Sequence, residues 1–459
     1  MVRYSASADQ QSYTYEYYNA MITHNGEPPK SFEGQYSPDL MSQYALGYLE
    51  DAASHDQPFF IAVAPIAPHS NMRLQEPRQF DLPQYAARHA GLFSDYKIPR
   101  TANFNPEVPS GVSWVHALPK LNQTLIDYHD EFQRSRLRAL QSVDEMIDGL
   151  VKSLEQKDLL DNTYIIYTTD NGFHISQHRL PPGKECPFEE DIHIPLIIRG
   201  PGVPAGETAH VVSSHTDLTP TILQLAGSDN LTLLDGSPIP LNVKALAAPN
   251  SGEHVNVEFW GEATIEGKYG SPFDDPETTS NNTYKALRLI GQDYNILYTV
   301  WCSGEREFYD VSRDPAQMHN YHDPAHASSQ IHYDLLGRPF KHVMARLDAL
   351  LMVTKSCRGW ECREPWRVLH PDGSIATLAD ALHKSFDAFY EDQPRVSFSS
   401  CVKGHVVSEE GPQHVNFWQK GVYESYEDGM SVQGAQGPML PGTSRKASFE
   451  RNGRWSDWT

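Results

Sequence analysis

The stretch from Tyr164 to Lys184 constrains this chain more than any other. Tyr164-Ile165-Ile166-Tyr167-Thr168-Thr169 has no polar alternation, and it runs directly into Asp170-Asn171-Gly172-Phe173-His174, with Lys184 following Leu180-Pro181-Pro182-Gly183. An apolar, β-branched run of this kind predicts a strand buried on both faces, which in turn requires a sheet covered by helices. Ligands in such sheets gather at the carboxyl ends of strands, where Asp170 and Asn171 fall. A carboxylate beside an amide carbonyl offers hard oxygen ligands to Ca²⁺ or Mg²⁺, and Gly172 lets the backbone turn sharply beneath them. Asp-Asn-Gly is equally an ordinary Asx turn closing a strand, so the three residues do not decide the matter alone.

The rest of the chain predicts an α/β domain followed by a smaller α+β region. Tyr13 to Ile22 reads as a strand entering a tight turn at Asn25-Gly26, and Ser37-Pro38-Asp39 opens a helix with Leu40, Tyr44, Tyr48 and Leu49 on one face. Phe59 to Ile66 predicts a second buried strand, ending near His69. Residues 71–127, rich in Pro, Gln, Asn and Arg, predict a long excursion near the site, and a long amphipathic helix through Leu137, Leu140, Ile147, Leu150 and Leu154 then leads to the Asp170 strand. Strand and helix alternate through Ile194–Ile198 and the helix opened by Thr219-Pro220, which predicts a largely parallel sheet. After about residue 245 closely spaced strands at Val255–Trp260, Tyr284–Ile290, Tyr294–Trp301 and Glu307–Val311 predict an antiparallel sheet, covered by a helix carrying Val343, Leu347, Leu350 and Leu351; another helix is expected near Leu378–Tyr390. The expected organisation is therefore 1–245, 246–405 and a tail from 406 that loses its aliphatic residues and is unstructured from about 429.

Asp170-Asn171-Gly172-Phe173-His174, Gly183-Lys184, and Glu190-Asp191-Ile192-His193-Ile194-Pro195-Leu196-Ile197-Ile198-Arg199-Gly200-Pro201-Gly202 together resemble the metal- and sulfate-binding block of the sulfatases. The closest likeness is to arylsulfatases of fungal type and N-acetylglucosamine-6-sulfatases. It extends upstream through Pro58–Ala64 and Ala67-Pro68-His69-Ser70, and downstream through Glu307-Phe308-Tyr309-Asp310 with Asp314-Pro315, covering most of residues 10–405. The resemblance implies the alkaline-phosphatase-like fold, an α/β sheet flanked by helices, and the hydrolysis of aryl or sugar sulfate esters at a Ca²⁺-dependent site. It implies that Asp170 and Asn171 bind the metal, that His69 and Lys184 are the catalytic groups contacting the sulfate and leaving oxygen, and that His174 and Gln177 shape the substrate pocket.

The family also carries a Cys/Ser-x-Pro-x-Arg motif, whose first residue becomes a formylglycine nucleophile, and an N-terminal acidic pair on the same metal. Neither occurs here. The cysteines are Cys186, Cys302, Cys357, Cys362 and Cys401, and Cys362-Arg363-Glu364-Pro365-Trp366-Arg367 has one residue too many between Cys and Pro. The chain thus reads as a sulfatase lacking its N-terminal portion, expected to be inactive as written. Two alternatives are a non-catalytic truncated form or pseudoenzyme, and a metal phosphoesterase of the alkaline-phosphatase-like group; the latter commonly has Asp-His where this chain has Asp170-Asn171. Cys186 beside Lys184 is rejected as a nucleophile because no motif places a base next to it.

With 459 residues, 39 % hydrophobic and 11 % aromatic, the chain is long enough for two domains, and no apolar run approaches the roughly 18 residues of a membrane span. A net charge of −22 argues against nucleic acid or an anionic membrane as partner and favours a small or singly sulfated ester over a dense polyanion. Sequons at Asn122, Asn230 and Asn281 permit glycosylation; Cys357 and Cys362 lie close enough to bridge, with Cys401 able to compete for either; an odd cysteine count leaves one thiol over. These features lean to a secretory origin or an extracellular protein, although the segment from Met1 to Asp9 has no apolar signal core.

Overall fold

The computed structural model describes residues 2–4, 15–73, 79–228, 231–247, 252–261, 266–267, 282–324, 327–402 and 404–418. A small antiparallel sheet opens the fold, with β1 (Val2–Tyr4), β2 (Met21–His24) and β3 (Lys30–Ser31) in that order. Asn25 and Gly26 take φ of 50° and 82°, the pair of positive angles that a tight hairpin turn requires. Helix α1 (Ser37–Ala53) follows, then β4 (Asn71–Arg73) paired with β5 (Gln79–Asp81), and the short α2 (Ser113–His116). The long helix α3 (Gln123–Gln156) starts where Asn122 Oδ1 accepts from Leu125 N at 3.0 Å, an N-cap. It packs on α1, bringing Ala139, Val143 and Met146 against Met41 and Ala45.

Strands β6 (Ile165–Thr168) and β7 (Leu196–Arg199) flank the turn at Asp170, with α4 (Glu189–Ile192) between them in sequence and α5 (Leu218–Leu225) after. The C-terminal sheet is an antiparallel meander in the order β11 (Arg306–Asp310), β10 (Asn295–Trp301), β9 (Tyr284–Ile290), β8 (His254–Phe259). Both of its faces are covered. Leu287, Leu289, Ile296, Tyr298, Val300 and Phe308 pack on the helix Phe340–Thr354, which buries Val343, Leu347, Leu350 and Leu351. On the other face Ala286, Leu297, Trp301 and Tyr309 pack against Val115, Leu180, Cys186 and Phe188. The loop that follows Asp170 is therefore part of the core of the C-terminal sheet, which fixes the position of Lys184.

The α/β class and the C-terminal antiparallel sheet agree with the sequence reading, but the pairing differs in one respect. Every ladder between the described strands is antiparallel, including β6 with β7. Phe59–Ile66, expected as a buried strand, forms no ladder among the described residues, and Phe60 is 72 % exposed. Burial on both faces depends on neighbouring strands, and none is described beside this segment. The helix expected near Leu378–Tyr390 is broken into Leu378–Ala381, a 3-10 turn at Lys384–Phe386, and Asp387–Glu391. Cys302 is bonded to Cys401 and Cys357 to Cys362, leaving Cys186 as the free thiol. Asn230, Asn281 and the tail beyond 418 lie outside the described residues.

Candidate active site

The turn after β6 is held against α4 by backbone hydrogen bonds. Gly172 N donates to Asp191 O at 2.8 Å and Phe173 N to Glu190 O at 2.7 Å. Only glycine fits position 172, because a Cβ there would lie 2.0 Å from the Glu190 carbonyl oxygen. Reciprocal bonds between His174 and Gly183, at 2.9 and 3.1 Å, close the following loop and deliver the chain to Lys184. Asp191 anchors both ends of that loop: His174 Nδ1 donates to its carboxylate at 2.9 Å, and Cys186 N donates to Oδ2 at 2.8 Å.

Asp170, Asn171 and Lys184 line one cavity of about 1620 Å³, which residues of β7 and β8 such as Leu196, Ile198, Val255 and Val257 also line. Lys184 and His69 also converge on the buried carboxylate of Glu266. Lys184 Nζ lies 3.4 Å and His69 Nε2 3.5 Å from Oε1, while Ser70 Oγ donates to Oε2 at 2.6 Å. Glu266 is placed from both sides: its N–H donates to Pro182 O at 2.9 Å, and Gly267, at φ +100°, lets the chain pass so close to Tyr128 that a Cβ would lie 2.6 Å from its hydroxyl. Burial would raise the Glu266 pKa, but the facing groups, His69, Lys184, the Ser70 hydroxyl and Arg136, outweigh it and hold the carboxyl below its ordinary range.

Arg136 completes this cluster from α3. Its guanidinium lies 4.0 Å over the Phe173 ring and interacts electrostatically with Glu266, Tyr17 and Asp170, linking the carboxylate to the metal-type turn. Burial lowers its pKa to about 10, which leaves it charged at neutral pH. His69 Nδ1 lies 2.9 Å from Ser70 O. A carbonyl can only accept, so Nδ1 carries the proton and Nε2 is the free proton-accepting position in the neutral ring. Burial lowers the His69 pKa against the opposing pull of Glu266, whereas Arg136 stays charged at neutral pH. Tyr17 holds this segment in place by donating to His69 O at 2.7 Å.

His174 and Gln177 sit elsewhere. His174 is buried and committed to Asp191, and Gln177 Oε1 accepts from Ile175 N at 2.6 Å beside the bridge to Phe104; neither borders the cavity. His174, Cys186 and Asp191 place donor atoms within 4.8 Å of one another. That cluster is internally satisfied, and burial pushes the Cys186 thiol well above its usual pKa, so the sulfur stays protonated and is no nucleophile. As a calcium site, Asp170 and Asn171 are incomplete. Asp170 is exposed and Asn171 Nδ2 donates to Gly172 O at 2.6 Å, so the pair offers one carboxylate and one amide oxygen, against the six to eight oxygens that Ca²⁺ takes.

Arg136 was missed in the sequence but was detectable there. It stands four residues after Phe132, three before Ala139 and seven before Val143, all on the buried face of α3, where an unpaired charge needs a reason. Glu266 carries no such signal, since it lies beyond the boundary expected at 245.

Comparison with known proteins settles the ancestry. Residues 3–228 match the family described as Sulfatase. Over 381 residues the chain is 40 % identical to sulfatase ppz1 of Metarhizium majus, covering 83 % of this chain and 80 % of that one. It belongs to the sulfatase family. Other sulfatase relatives are longer: the chain is 33 % identical to an arylsulfatase of Volvox carteri and 31 % identical to an N-acetylglucosamine-6-sulfatase of Bos taurus, matching 85 % and 84 % of this chain but 62 % and 64 % of theirs. A solved protein in complex with its substrate D-glucosamine-2-N,6-O-disulfate shares the fold at TM-score 0.54 and 21 % identity, over 68 % of this chain and 70 % of that one. The α/β class is thus the alkaline-phosphatase-like architecture of sulfatases.

Proposed function

We propose that this sulfatase-family chain binds aryl or sugar sulfate esters at the cluster of His69, Ser70, Lys184 and Arg136. The observation that carries the reading is the convergence of Lys184 Nζ and His69 Nε2 on one carboxylate oxygen. Two nitrogen groups from segments distant in sequence aim at one anionic oxygen, the geometry needed to hold an ester sulfate and its departing oxygen. Lys184 would neutralise the peripheral sulfate charge, and His69, when protonated at Nε2, would give that proton to the departing oxygen. Asp170 and Asn171 would contribute two ligands to a calcium ion completed by others; bound there, the ion would polarise the sulfate. His174 and Gln177 shape the pocket indirectly, by holding the loop that carries Lys184. A boundary near residue 245 would separate the α/β domain that carries this cluster from the smaller α+β region.

The sequence holds no Cys/Ser-x-Pro-x-Arg, so the chain as written is proposed to bind without turning over, which distinguishes a binding form from an active hydrolase. Calorimetry with p-nitrophenyl sulfate tests the binding, and its hydrolysis assay tests the turnover. Lys184→Ala should weaken binding at least tenfold. Equal binding by the variant would remove the site, and turnover lost in Lys184→Ala would show that an activated oxygen is present. A secretory origin is supported by the two disulfides, which persist in oxidising compartments. Among the described residues no helix is long and apolar enough to cross a membrane.

A further inference from the structure

Glu266 presents a physical problem that the binding reading leaves open. A site for an anion has a carboxylate in its centre, with side-chain exposure of 3 %, within 3.5 Å of both Lys184 and His69 and 2.6 Å from the Ser70 hydroxyl. Its position is fixed by the Pro182 carbonyl and by the close approach of Gly267 to Tyr128. A negative charge built into such a cluster repels every ligand charge, and it repels a doubly charged ligand twice as strongly as a singly charged one. Sulfate monoesters carry one charge at neutral pH. Phosphate monoesters of the same shape carry close to two, because their second pKa is about 6.

We propose that Glu266 is a specificity-determining residue of this site, offsetting one of its positive charges and so weighting the site toward singly charged sulfate esters over doubly charged phosphate esters. The inference rests on the reading that the site takes a sulfate ester. An ester oxygen in contact with Lys184 Nζ lies roughly 6 Å from the Glu266 carboxylate, given the 3.4 Å separation of those two groups. At the effective dielectric of a partly buried pair, one additional ligand charge at that distance costs on the order of a hundredfold in affinity. Lys184 and Arg136 attract the doubly charged ligand more strongly than the singly charged one, and Asp170, which faces Arg136 and is exposed to solvent, adds a weaker repulsion; these groups are the same in a variant at position 266, so the contribution of Glu266 is read from the change in the affinity ratio on its replacement.

The test is calorimetric binding of p-nitrophenyl sulfate and p-nitrophenyl phosphate to the whole chain and to Glu266→Gln at pH 8. The substitution should move the phosphate-to-sulfate affinity ratio toward phosphate by at least tenfold. If both ligands tighten equally, Glu266 only occludes the site and the proposal is overturned. A second measurement repeats the comparison at pH 5, where the phosphate has lost its second charge. Both ligands are then singly charged, so Glu266→Gln should change the ratio at pH 8 and leave it nearly unchanged at pH 5; an equal change at the two pH values overturns the proposal. If the wild type binds neither ester, the sulfate-ester reading itself fails, whereas binding of both with an unchanged ratio removes only the selection by Glu266.

Discussion

Replacing Glu307 by Gln should remove a pH dependence built into the C-terminal sheet. Glu307, on β11, is fully buried, with Trp301 Nε1 donating to Oε2 and Tyr309 OH to Oε1, each at 2.8 Å, and the Val112 backbone adding a further bond. Burial pushes its pKa up to about 7 despite these donors, from an ordinary 4.5. A folded pKa above the unfolded one means that the protonated form is favoured by folding. Its contribution is therefore fully present below about pH 4.5 and is lost as pH rises through about 7. A shift of about 2.5 units corresponds to about 3 kcal/mol in all, of which roughly 2.5 kcal/mol is lost between pH 5 and pH 8. Gln cannot ionise, so Glu307→Gln lacks this loss. It does leave one donor facing an amide N–H, a pH-independent cost of about 1 kcal/mol. Urea unfolding of both proteins at pH 5 and pH 8 measures the effect: the variant should be less stable at pH 5 and should gain about 2.5 kcal/mol on the wild type by pH 8. The histidines titrating in this range are common to both proteins and cancel in the comparison. Parallel stability profiles for the two proteins would refute the reasoning.

Two further outcomes are expected. Asp191→Asn breaks the buried pair with His174 and frees Cys186 N, so it should destabilise the chain by about 3 kcal/mol or more in urea unfolding. Burial alone would lower the His174 pKa, but Asp191 raises it overall, so the pair's contribution is complete below about pH 6.5 and fades as pH rises through the raised value; the gap between wild type and variant should be wider at pH 6 than at pH 9. Calcium titration should give a dissociation constant of about 1 mM or weaker, since Asp170 and Asn171 supply too few oxygens; micromolar binding abolished by Asp170→Ala would show that other residues complete the shell.

The parts of this molecule that were legible in the sequence are those specified by local pattern. The turn at Asp170-Asn171-Gly172, the long helix through Leu137 and Leu154, and the four closely spaced strands from residue 254 to 310 all depend on side-chain period and turn chemistry within a few residues. So does the family motif from Asp170 to Gly202, which holds Lys184 at a set distance along the chain from Asp170. The state of Phe59–Ile66 was not legible, because an apolar run carries no information about whether a neighbouring strand lies beside it to bury its faces. Nor were the environments of His174 and Gln177, whose side chains are taken up by the loop that contains them. Glu266 marks the limit most clearly. It lies 82 residues beyond Lys184 and 197 beyond His69 by the chain numbering, and nothing in its neighbours' periodicity points to either. Its meeting with them is decided by the packing of the Lys184 loop on the C-terminal sheet and by the passage of Gly267 beside α3. Sequence by itself determined the family, most of the elements and the place of Lys184 and His69 in the family pattern; only the tertiary structure brought in Arg136 and decided which carboxylate these groups face, because electrostatic partnership depends on distance in space and a chain's order records only distance along itself.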